Sequence, residues 1–392
     1  MRVEEITTMA GLDEVRDEWD AFVESVGSDI YFTVDWLQAW WTYYSDRRQL
    51  ACLLVRDGGV LVGALPFFVE RRWLGPIQTH VARFVGADHT LPIFNPAIVS
   101  GAEEAVLACA VEWLTTVAHC DAVVVSPLSG ESTTAAAAES VASHAGLRVV
   151  RSDSPGPHTV FRLPSTFDEY LASLGKTARR DHRRFERRLR DAFSIEYRIV
   201  TGADAVACFD EFDKLHTAQW KPRGKPGHFA DWPHGATFNR DLVTRMAGDG
   251  RARFYVITGD GATLAMEYCF VLGDRCFWRL RARVLDPELE KLRLGQVSAS
   301  ELFMMLIEQG TTVVEAGPAH FEYKTRLGGV EHPLRRVIIA RDARSSVWKT
   351  KALVSWADLV HLVYYRIWFN HFARRVGRGG KRLWGPWVRS RL

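Results

Sequence analysis

The same strand–turn–strand pattern occurs twice in this chain, about half a chain length apart. Residues 51–68 and 253–270 each read as an apolar strand, a turn around Asp-Gly and a second apolar strand. Asp-Gly between apolar runs is a strong hairpin signal. Helical patterns precede each hairpin, at 12–26 and 33–44 in the first half and at 203–219 and 235–248 in the second. The shared order of elements predicts a duplicated α+β domain rather than the chance recurrence of one hairpin.

Length and composition fit this interpretation. The 392 residues suffice for two domains, and 47% hydrophobic with 25% charged residues is ordinary for a globular protein. The formal net charge of +3 creates no global field that would demand a polyanionic partner. The six cysteines have no C-x-x-C spacing, so we expect reduced, mostly buried thiols in a cytoplasmic protein. We expect neither a secretory signal nor a membrane-spanning helix, because the start lacks an apolar core and charges interrupt every long apolar run.

The pattern predicts four regions. They are an N-terminal domain at 1–165, a basic connector helix at 166–192, a C-terminal domain at 193–344, and an aromatic and basic helical tail at 345–392.

The connector contains the most basic stretch of the chain. KTARRDHRRFERRLR, residues 176–190, has eight Lys or Arg and two acids. An apolar or near-apolar stripe at helical spacing runs through Leu171, Leu174, Ala178, His182, Phe185 and Leu189. One interpretation is a helix with a narrow apolar seam and a solvated basic surface. The other is that the basic face binds phosphate of a nucleotide cofactor, a lipid head group or an RNA. No aromatic residue interleaves with the arginines, so we do not expect a nucleic-acid domain.

The tail combines tryptophan with basic residues. Residues 345–392 hold ten Lys or Arg, one Asp and five Trp. This composition is typical of interfacial helices, so the tail is a candidate for peripheral contact with the inner face of a membrane. The alternative is a terminal helix docked on the body with a disordered basic end. The glycine-rich run at 375–382 follows a helix rather than a strand, so we do not expect a phosphate loop.

The second half has the more informative order of elements. After a strand at 195–200 and two helices come three strands, a loop ending Arg293-Leu294-Gly295-Gln296, a helix, the strand TTVVEAG at 311–317 and a last strand at 334–340. Backbone N–H groups at a helix start form an anion site, and glycine permits close approach of a phosphate.

This order resembles the GNAT acyltransferase fold. More specifically, the chain resembles double-GNAT proteins of the CelD type, associated with cellulose biosynthesis and related to Fem-type transferases. The resemblance is carried by residues 30–41, 53–72, 174–189, 215–220, 292–296 and 315–328. It implies two tandem GNAT-like domains with mixed, mainly antiparallel sheets flanked by helices.

The resemblance also implies acyl transfer from acetyl or longer acyl coenzyme A to an amine or hydroxyl. A sugar, a polysaccharide precursor or another small metabolite would be the acceptor. The helix-start loop, Arg293 to Gln296, would bind the cofactor pyrophosphate, although only Gly295 of the usual glycines is present. The first half has no comparable loop, so we expect it to have lost cofactor binding and to shape the acceptor cleft. Two alternatives stay open: an aminoacyl-tRNA-dependent Fem-like transferase, and a non-catalytic binding protein on a GNAT scaffold.

Acyl transfer needs a base, donors for the oxyanion and an acid for the leaving thiolate. Glu267 lies mid-strand among apolar residues, where a carboxylate is costly unless it is paired or used. It is therefore either the general base or half of an ion pair with Arg279 or Arg281. Tyr323 resembles the GNAT general acid, and Glu315 is a third catalytic candidate. The candidates for substrate contact are His216, Trp220, His320 and Lys324. No helix carries a His-x-x-x-His pair, and we expect no metal.

Overall fold

The computed structural model describes residues 1–88, 92–143, 146–223, 227–372 and 384–392. The strands are β1 (Arg2–Ile6), β2 (Arg48–Asp57), β3 (Val60–Leu74), β4 (Ile77–Phe84), β5 (Ala97–Ile98), β6 (Ala122–Leu128), β7 (Leu147–Asp153), β8 (Pro157–Arg162), β9 (Ile195–Val200), β10 (Ala252–Gly259), β11 (Ala262–Leu272), β12 (Arg275–Arg283), β13 (Val313–Pro318), β14 (Val330–Pro333) and β15 (Arg335–Arg341).

The α-helices are α1 (Met9–Glu14), α2 (Arg16–Ser25), α3 (Val34–Tyr44), α4 (Glu103–Thr116), α5 (Thr134–Val141), α6 (Phe167–Ser173), α7 (Gly175–Ala192), α8 (Asp204–Trp220), α9 (His228–Asp231), α10 (Gly235–Met246), α11 (Pro287–Lys291), α12 (Leu294–Glu308), α13 (Glu322–Arg326), α14 (Arg344–Val360) and α15 (Trp384–Ser390). Single turns of 3-10 helix lie at Ile30–Phe32 and Lys221–Arg223, and a π-helix at His361–Phe372 continues α14.

The strands form two mixed sheets with the same sequence of pairings. The first sheet has the order β1-β2-β3-β4-β6-β15-β7, with β5 added beside β3, and the second has the order β9-β10-β11-β12-β13-β8-β14. Each begins with an antiparallel meander of four strands and then has a parallel pair, β4 with β6 and β12 with β13. A helix, α4 or α12, makes each parallel crossover, as parallel pairing requires. The α+β fold class with two GNAT-like sheets is therefore confirmed.

The chain forms two compact units around these sheets. The first contains Met1–Gly156, Asp231–Pro233 and Pro333–Leu392, and the second contains Pro157–Ala230 and His234–His332. The second unit is thus inserted between β7 and β15, which are antiparallel neighbours in the first sheet. The amide of Leu334 donates to the carbonyl of Gly156 at 2.7 Å, so the two ends of the inserted segment lie side by side.

This division differs from the boundaries predicted at 165 and 344. Strand β8 pairs with β13 in the second sheet, although it precedes residue 165. The strand predicted at 334–340 as the last of the second domain forms as β15, but it pairs with β6 and β7 in the first sheet. The sequence could not reveal this, because both strands are short apolar runs whose partners are remote along the chain.

Both predicted hairpins are present. In the second, Asp260 and Gly261 have φ of 52° and 80°, the positive values that a two-residue type I′ turn requires. The pattern at 12–26 is divided into α1 and α2, whereas α3, α8 and α10 begin within one residue of their predicted starts.

The predicted connector is two helices rather than one. The backbone turns at Gly175, whose φ is 78°, and separates α6 from α7. The seam continues in α7, where His182, Phe185 and Leu189 are buried and the last two pack in a core cluster within the second unit. In this helix the interpretation as an amphipathic segment with a basic outer surface is confirmed.

The tail begins with α14, which packs on the first sheet. Leu353 and Val354 are buried beside Val81, Val124 and Ile338. The glycine-rich run at 375–382 lies outside the described residues. No helix in the described ranges combines the length and hydropathy needed to cross a bilayer.

Candidate functional site

The second sheet opens at its parallel pair. Within the described residues, Arg275–Phe277 of β12 pair with Val313–Glu315 of β13, whereas the other edge of β13 pairs with β8 from Val313 to Pro318. In the part of the chain that the structure describes, the second half of β12, from Trp278 to Arg283, therefore pairs with β11 alone. The N-terminus of α12 and helix α13 both follow this end of the sheet. Most of the predicted site residues lie near the opening.

Glu267 lies at the centre of the site and is almost completely buried, with 1% of its surface exposed. Its carboxylate accepts hydrogen bonds from Arg281 Nη2 at 3.0 Å, Trp278 Nε1 at 2.9 Å and Ser298 Oγ at 2.6 Å. These three donors pair both carboxylate oxygens, which offsets the cost of burying a polar group among apolar residues. The predicted ion pair with Arg281 is thus present, whereas the general-base role stays a prediction.

Arg281 connects Glu267 to the other parts of the site. Its Nη2 also donates to the carbonyl of Gly295 in the first turn of α12. Its guanidinium lies 5.3 Å from the ring centroid of Tyr323 and 5.5 Å from that of Trp278. The position of this one side chain is therefore fixed by a strand, a helix start and two aromatic rings.

Tyr323 lies at the start of α13 with 37% of its surface exposed. Its ring is edge-on to Trp278, with centroids 6.4 Å apart. Partial burial raises the pKa of the Tyr323 phenol, although the nearby Arg281 cation acts in the opposite direction. The phenol therefore stays protonated at neutral pH, as a proton donor must.

Several arginine side chains lie at the start of α12. Its N-cap residue Arg293 has φ of 57° and supplies no side-chain hydrogen bond to the first turn. A Cβ added to Gly295 would lie 1.9 Å from Nη1 of Arg283, so the glycine makes room for that guanidinium. Cations are disfavoured at a helix N-terminus, where the helix dipole is positive. Converging arginines there would be stabilised by a bound anion.

The other two residues of the predicted cofactor loop, Leu294 and Gln296, differ in solvent exposure. Leu294 is buried, whereas Gln296 is exposed beside Arg293. The amides of Gln296 and Val297 donate to the carbonyl of Arg293. An anion bound at this helix start would contact backbone amides of the first turn of α12 and the side chain of Arg293.

Glu315 and Lys324 form a second buried polar group at the opening. Glu315 is in strand β13, not in the turn that follows, and its Oε2 lies 2.9 Å from Nδ1 of the fully buried His158. Lys324 has 4% exposure and donates to the carbonyl of Ala316 at 2.6 Å. Burial lowers the pKa of Lys324 to about 8, although Glu315 acts in the opposite direction.

His216 and Trp220 lie on α8, one turn apart. His216 is buried and its Nδ1 lies 3.0 Å from the carbonyl oxygen of Arg281, so it borders the same strand residue. Its Nε2 lies 2.9 Å from Nδ1 of His228, an exposed residue whose ring is 5.2 Å from that of Trp220. A carbonyl acceptor for Nδ1 indicates the tautomer in which Nε2 accepts from His228.

His320 contacts Glu331 rather than the residues around Glu267 and Arg281. Its side chain is largely exposed and its Nδ1 lies 2.6 Å from Glu331 Oε1. A role in substrate contact stays a prediction for this residue, as it does for His216, Trp220 and Lys324.

The sequence interpretation missed several residues of the site. They are Trp278, Arg283 and Ser298, together with His158, which contacts Glu315, and His228, which contacts His216. The alternation of arginine along RCFWRLRAR, residues 275–283, was a signal that one strand face carries repeated positive charge. His158 had no signal, because the strand that carries it was assigned to the other domain.

The match to a known protein family covers this same region. Residues 176–325 match a family described as an acetyltransferase (GNAT) domain. The range runs from α7 to α13 and includes β11, β12 and the start of α12. This part of the second unit is therefore similar to GNAT-type acetyltransferase domains.

Solved structures share the fold of the whole chain. FemX aligns with a TM-score of 0.63 and 10% identity, covering 86% of this chain and 97% of that chain. A conserved protein of unknown function from Bacteroides thetaiotaomicron VPI-5482 aligns with a TM-score of 0.52 and 15% identity, covering 87% and 100%. The C-terminal domain of a putative lysylphosphatidylglycerol synthetase from Agrobacterium fabrum aligns with a TM-score of 0.50 and 12% identity, covering 88% and 97%.

Identities this low establish a shared fold and nothing more. A search of curated proteins found no match to the chain. The GNAT resemblance is thus confirmed for residues 176–325, and the narrower resemblance to CelD-type proteins stays a prediction.

Proposed function

We propose that this protein is an acyltransferase that moves an acyl group from acyl coenzyme A to an amine or hydroxyl. A sugar, a polysaccharide precursor or another small metabolite is the proposed acceptor. The observation that supports the proposal most directly is the group of arginines at the start of α12. Arg281 contacts the carbonyl of Gly295, Arg283 fills the space above its Cα, and Arg293 is the exposed N-cap. A pyrophosphate would supply the negative charge that this helix start favours.

The proposed chemistry uses the opening between β12 and β13. The acceptor nitrogen or oxygen forms a bond to the thioester carbonyl carbon and releases its proton to solvent water, and the carbon–sulfur bond then breaks. Tyr323, protonated at neutral pH, is the proposed donor of a proton to the departing thiolate. The Tyr323 phenolate left after protonation of the thiolate regains its proton from solvent. Glu267 already accepts three hydrogen bonds, so its proposed role is to hold Arg281 in position rather than to remove a proton.

Ligand-dependent thermal unfolding tests the donor. Acetyl and longer acyl coenzyme A are added to the full chain, and at about a hundredfold excess over Kd a ligand stabilises the folded state by about 2.7 kcal/mol. We expect this shift to fall in an Arg293→Gln variant and to persist in Arg326→Gln, a control in which another exposed arginine is neutralised. No shift with any acyl coenzyme A would contradict the proposal.

An aminoacyl-tRNA donor is the second candidate, and the exposed arginines of α7 favour it. Arg180, Arg183, Arg187 and Arg188 all face solvent. FemX shares the fold, but an identity of 10% is too low to infer that this chain uses the same donor as FemX. Under this alternative, tRNA binds with an affinity that falls steeply with salt and that drops when these four arginines are changed to Gln.

We also propose that the C-terminal helical segment rests on an anionic membrane surface. Seven large apolar side chains of α14 and the π-helix face solvent: Trp348, Trp356, Leu359, Leu362, Val363, Ile367 and Trp368. Leu353, Val354 and Ala357 on the opposite side are buried. Exposed apolar area of this extent on one helix face is typical of an interaction surface.

Charge supports a lipid surface as the partner. Lys351 and Arg366 are exposed on the same helical segment. A surface depression of about 510 Å³ at the start of α14 is lined by three basic residues and one acidic residue beside Trp348: Arg148, Arg344, Lys351 and Asp342, the last of which pairs with Arg148. Tryptophan with Lys and Arg is the combination that interfacial helices use on anionic lipids.

Flotation with liposomes tests this proposal. Removing the chain beyond residue 345 would also remove the buried Leu353 and Val354, so surface substitutions are the better variant. We expect the full chain to float with anionic vesicles and not with neutral ones. A variant with Ser at Trp356, Leu359, Val363 and Ile367 should lose binding, whereas Val60→Ser with Trp73→Ser, two exposed apolar residues elsewhere, should keep it. Equal flotation of both variants would overturn the proposal.

A further inference from the structure

Three side chains with metal-binding atoms meet where α7 packs on α12. His182 and Glu186 are one turn apart on α7, and Glu301 lies in the middle of α12. One ligand atom from each lies within 4.8 Å of the others, and His182 Nε2 is 3.8 Å from Glu186 Oε2. Residues four apart on a helix share one face, so α7 presents both groups toward Glu301.

Buried polar atoms in this cluster have no hydrogen-bond partner. Oε2 of Glu301 and Nδ1 of His182 both lack one, and the two side chains are only 1% and 4% exposed. The hydroxyl of Tyr197, whose charge interactions include Glu301 and Glu186, is likewise buried and unpaired. An unpaired buried polar group destabilises the folded state, because the group has lost its hydrogen bonds to water. A ligand that pairs with Glu301 Oε2 therefore stabilises the folded chain, whereas Nδ1 of His182 lies on the opposite edge of the ring from the Nε2 atom that faces Glu186.

The charges around the cluster favour a cation as that ligand. Glu186 uses Oε1 for Arg190 Nε at 3.0 Å, which leaves Oε2 directed at His182. The carboxylate of Glu301 has no arginine within hydrogen-bond distance among the described residues. Phe185 and Leu189 lie on the same face of α7, and Val297 precedes Glu301 by about one turn, so the surroundings are apolar.

We propose that His182, Glu186 and Glu301 form a binding site for a divalent transition-metal ion of the zinc class. One imidazole nitrogen with two carboxylate oxygens is a donor set that suits Zn²⁺ over Mg²⁺ or Ca²⁺, which prefer all-oxygen sites. Zinc–ligand bonds of about 2.0–2.2 Å require the ligand atoms to lie about 3.3 Å apart. The side chains would close by roughly 1 Å on binding. The buried, unpaired hydroxyl of Tyr197 is a candidate outer-shell donor to a bound carboxylate.

A metal here would join the basic helix to the helix whose start forms the proposed anion site. The metal ligands are distinct from Glu267, Arg281 and the other residues of that site. Ser298, which donates to Glu267, lies one turn before Glu301 on α12. The site therefore acts on the position of α12 and does not depend on which donor or acceptor the enzyme uses.

Metal titration of the full chain tests the site without measuring activity. The protein is stripped with a chelator, and binding of Zn²⁺, Mg²⁺ and Ca²⁺ is followed by calorimetry and by thermal unfolding. We expect one Zn²⁺ per chain, a higher Tm with zinc, and no effect of Mg²⁺ or Ca²⁺. Glu301→Gln and Glu186→Gln should each weaken zinc binding at least tenfold, and Glu186 is exposed enough that its variant should fold normally.

Glu308→Gln is the matched control, because Glu308 is an exposed carboxylate at the end of the same helix. It should bind zinc as tightly as the unmodified chain. Equal zinc affinity in all three variants would locate binding at other histidines and overturn the proposal. So would binding of Mg²⁺ alone, or stabilisation of the chain by Glu301→Gln without any zinc binding, which would indicate that a proton satisfies the carboxylate instead.

Discussion

At the scale of single residues, the buried charges of the second unit determine what the site can do. Glu267 was prominent in the sequence because a carboxylate in an apolar strand is costly. Its three donors come from β12 and α12, which are 11 to 31 positions away along the chain. The sequence could therefore mark the residue as paired or functional, but only the tertiary structure showed how completely it is paired.

Glu267→Gln separates a positioning role from general-base catalysis. The amide keeps one acceptor oxygen but turns an NH₂ group toward donors, which should lower the free energy of unfolding by about 2–4 kcal/mol. We expect reduced kcat/KM with the shape of its pH profile retained. Urea unfolding and a pH–rate series measure both. Loss of the acidic limb of the profile with unchanged stability would instead establish Glu267 as the base. Glu322→Gln, at an exposed ion pair of α13, is the control.

Lys324 should make stability depend on alkaline pH. Its pKa is about 8 in the folded chain against an ordinary value of 10.5, so the unfolded chain binds the extra proton between these values. Stability attributable to this group therefore rises with pH from about 8 to 10.5, by up to about 3 kcal/mol. Below pH 8 the burial cost of the ammonium is fully present.

The measurement is urea unfolding from pH 7 to 10.5 for the unmodified chain and for Lys324→Met. The difference in unfolding free energy between them should shift in favour of the unmodified chain as pH rises. Lys291→Met, at an exposed lysine, should show no such shift. A constant difference across the pH range for Lys324→Met would mean that the ammonium is not desolvated.

At the scale of elements, the start of α12 is the feature on which the proposed function depends. The sequence identified the loop and its glycine, and it predicted the helix to within a few residues. It assigned to Gly295 the purpose of admitting a phosphate. The structure shows Arg283 in that space, because β12 carries the guanidinium across the first turn of the helix. The lack of a side chain at Gly295 thus makes room first for the guanidinium of Arg283, and it affects a bound phosphate only through that arginine.

Gly295→Ala tests this arrangement. The added Cβ would lie 1.9 Å from Arg283 Nη1 and must displace it, so we expect acyl coenzyme A to bind at least tenfold more weakly. Calorimetric titration gives the affinity. Gly248→Ala is the matched control, since nothing lies within 4 Å of a Cβ there. Unchanged affinity in both variants would remove Arg283 and this helix start from the donor site.

At the scale of the whole molecule, the order of strands was not evident from the sequence. The duplicated meander and its helices follow local patterns, and the sequence predicted them. The sixth position of each sheet, held by β15 in one and by β8 in the other, follows no local pattern. As a result, the second unit is a nearly continuous insertion within the first, and the first is assembled from both ends of the chain.

Dissecting the chain tests this organisation. Residues 157–332 contain the whole second sheet except Pro333, the last residue of β14, so we expect them to unfold cooperatively when expressed alone. Residues 1–156 lack β15, the strand between β6 and β7, and should not fold. Joining 1–156 to 333–392 through a short linker should restore folding, because Gly156 and Leu334 are hydrogen-bonded neighbours. Circular dichroism and thermal melts distinguish these outcomes, and cooperative unfolding of 1–156 alone would contradict them.

The sequence by itself determined the local elements, the α+β class and the identity of Glu267, Tyr323 and the Arg293–Gln296 loop as candidates. These follow from period, turn chemistry and the cost of burying charge, which act over a few residues. The tertiary structure decided which strands pair, and which side chains meet at Arg281 and at Glu301. Those contacts join residues far apart along the chain, and hydrogen bonding and packing between remote segments leave no periodic trace in the sequence that could be read in advance.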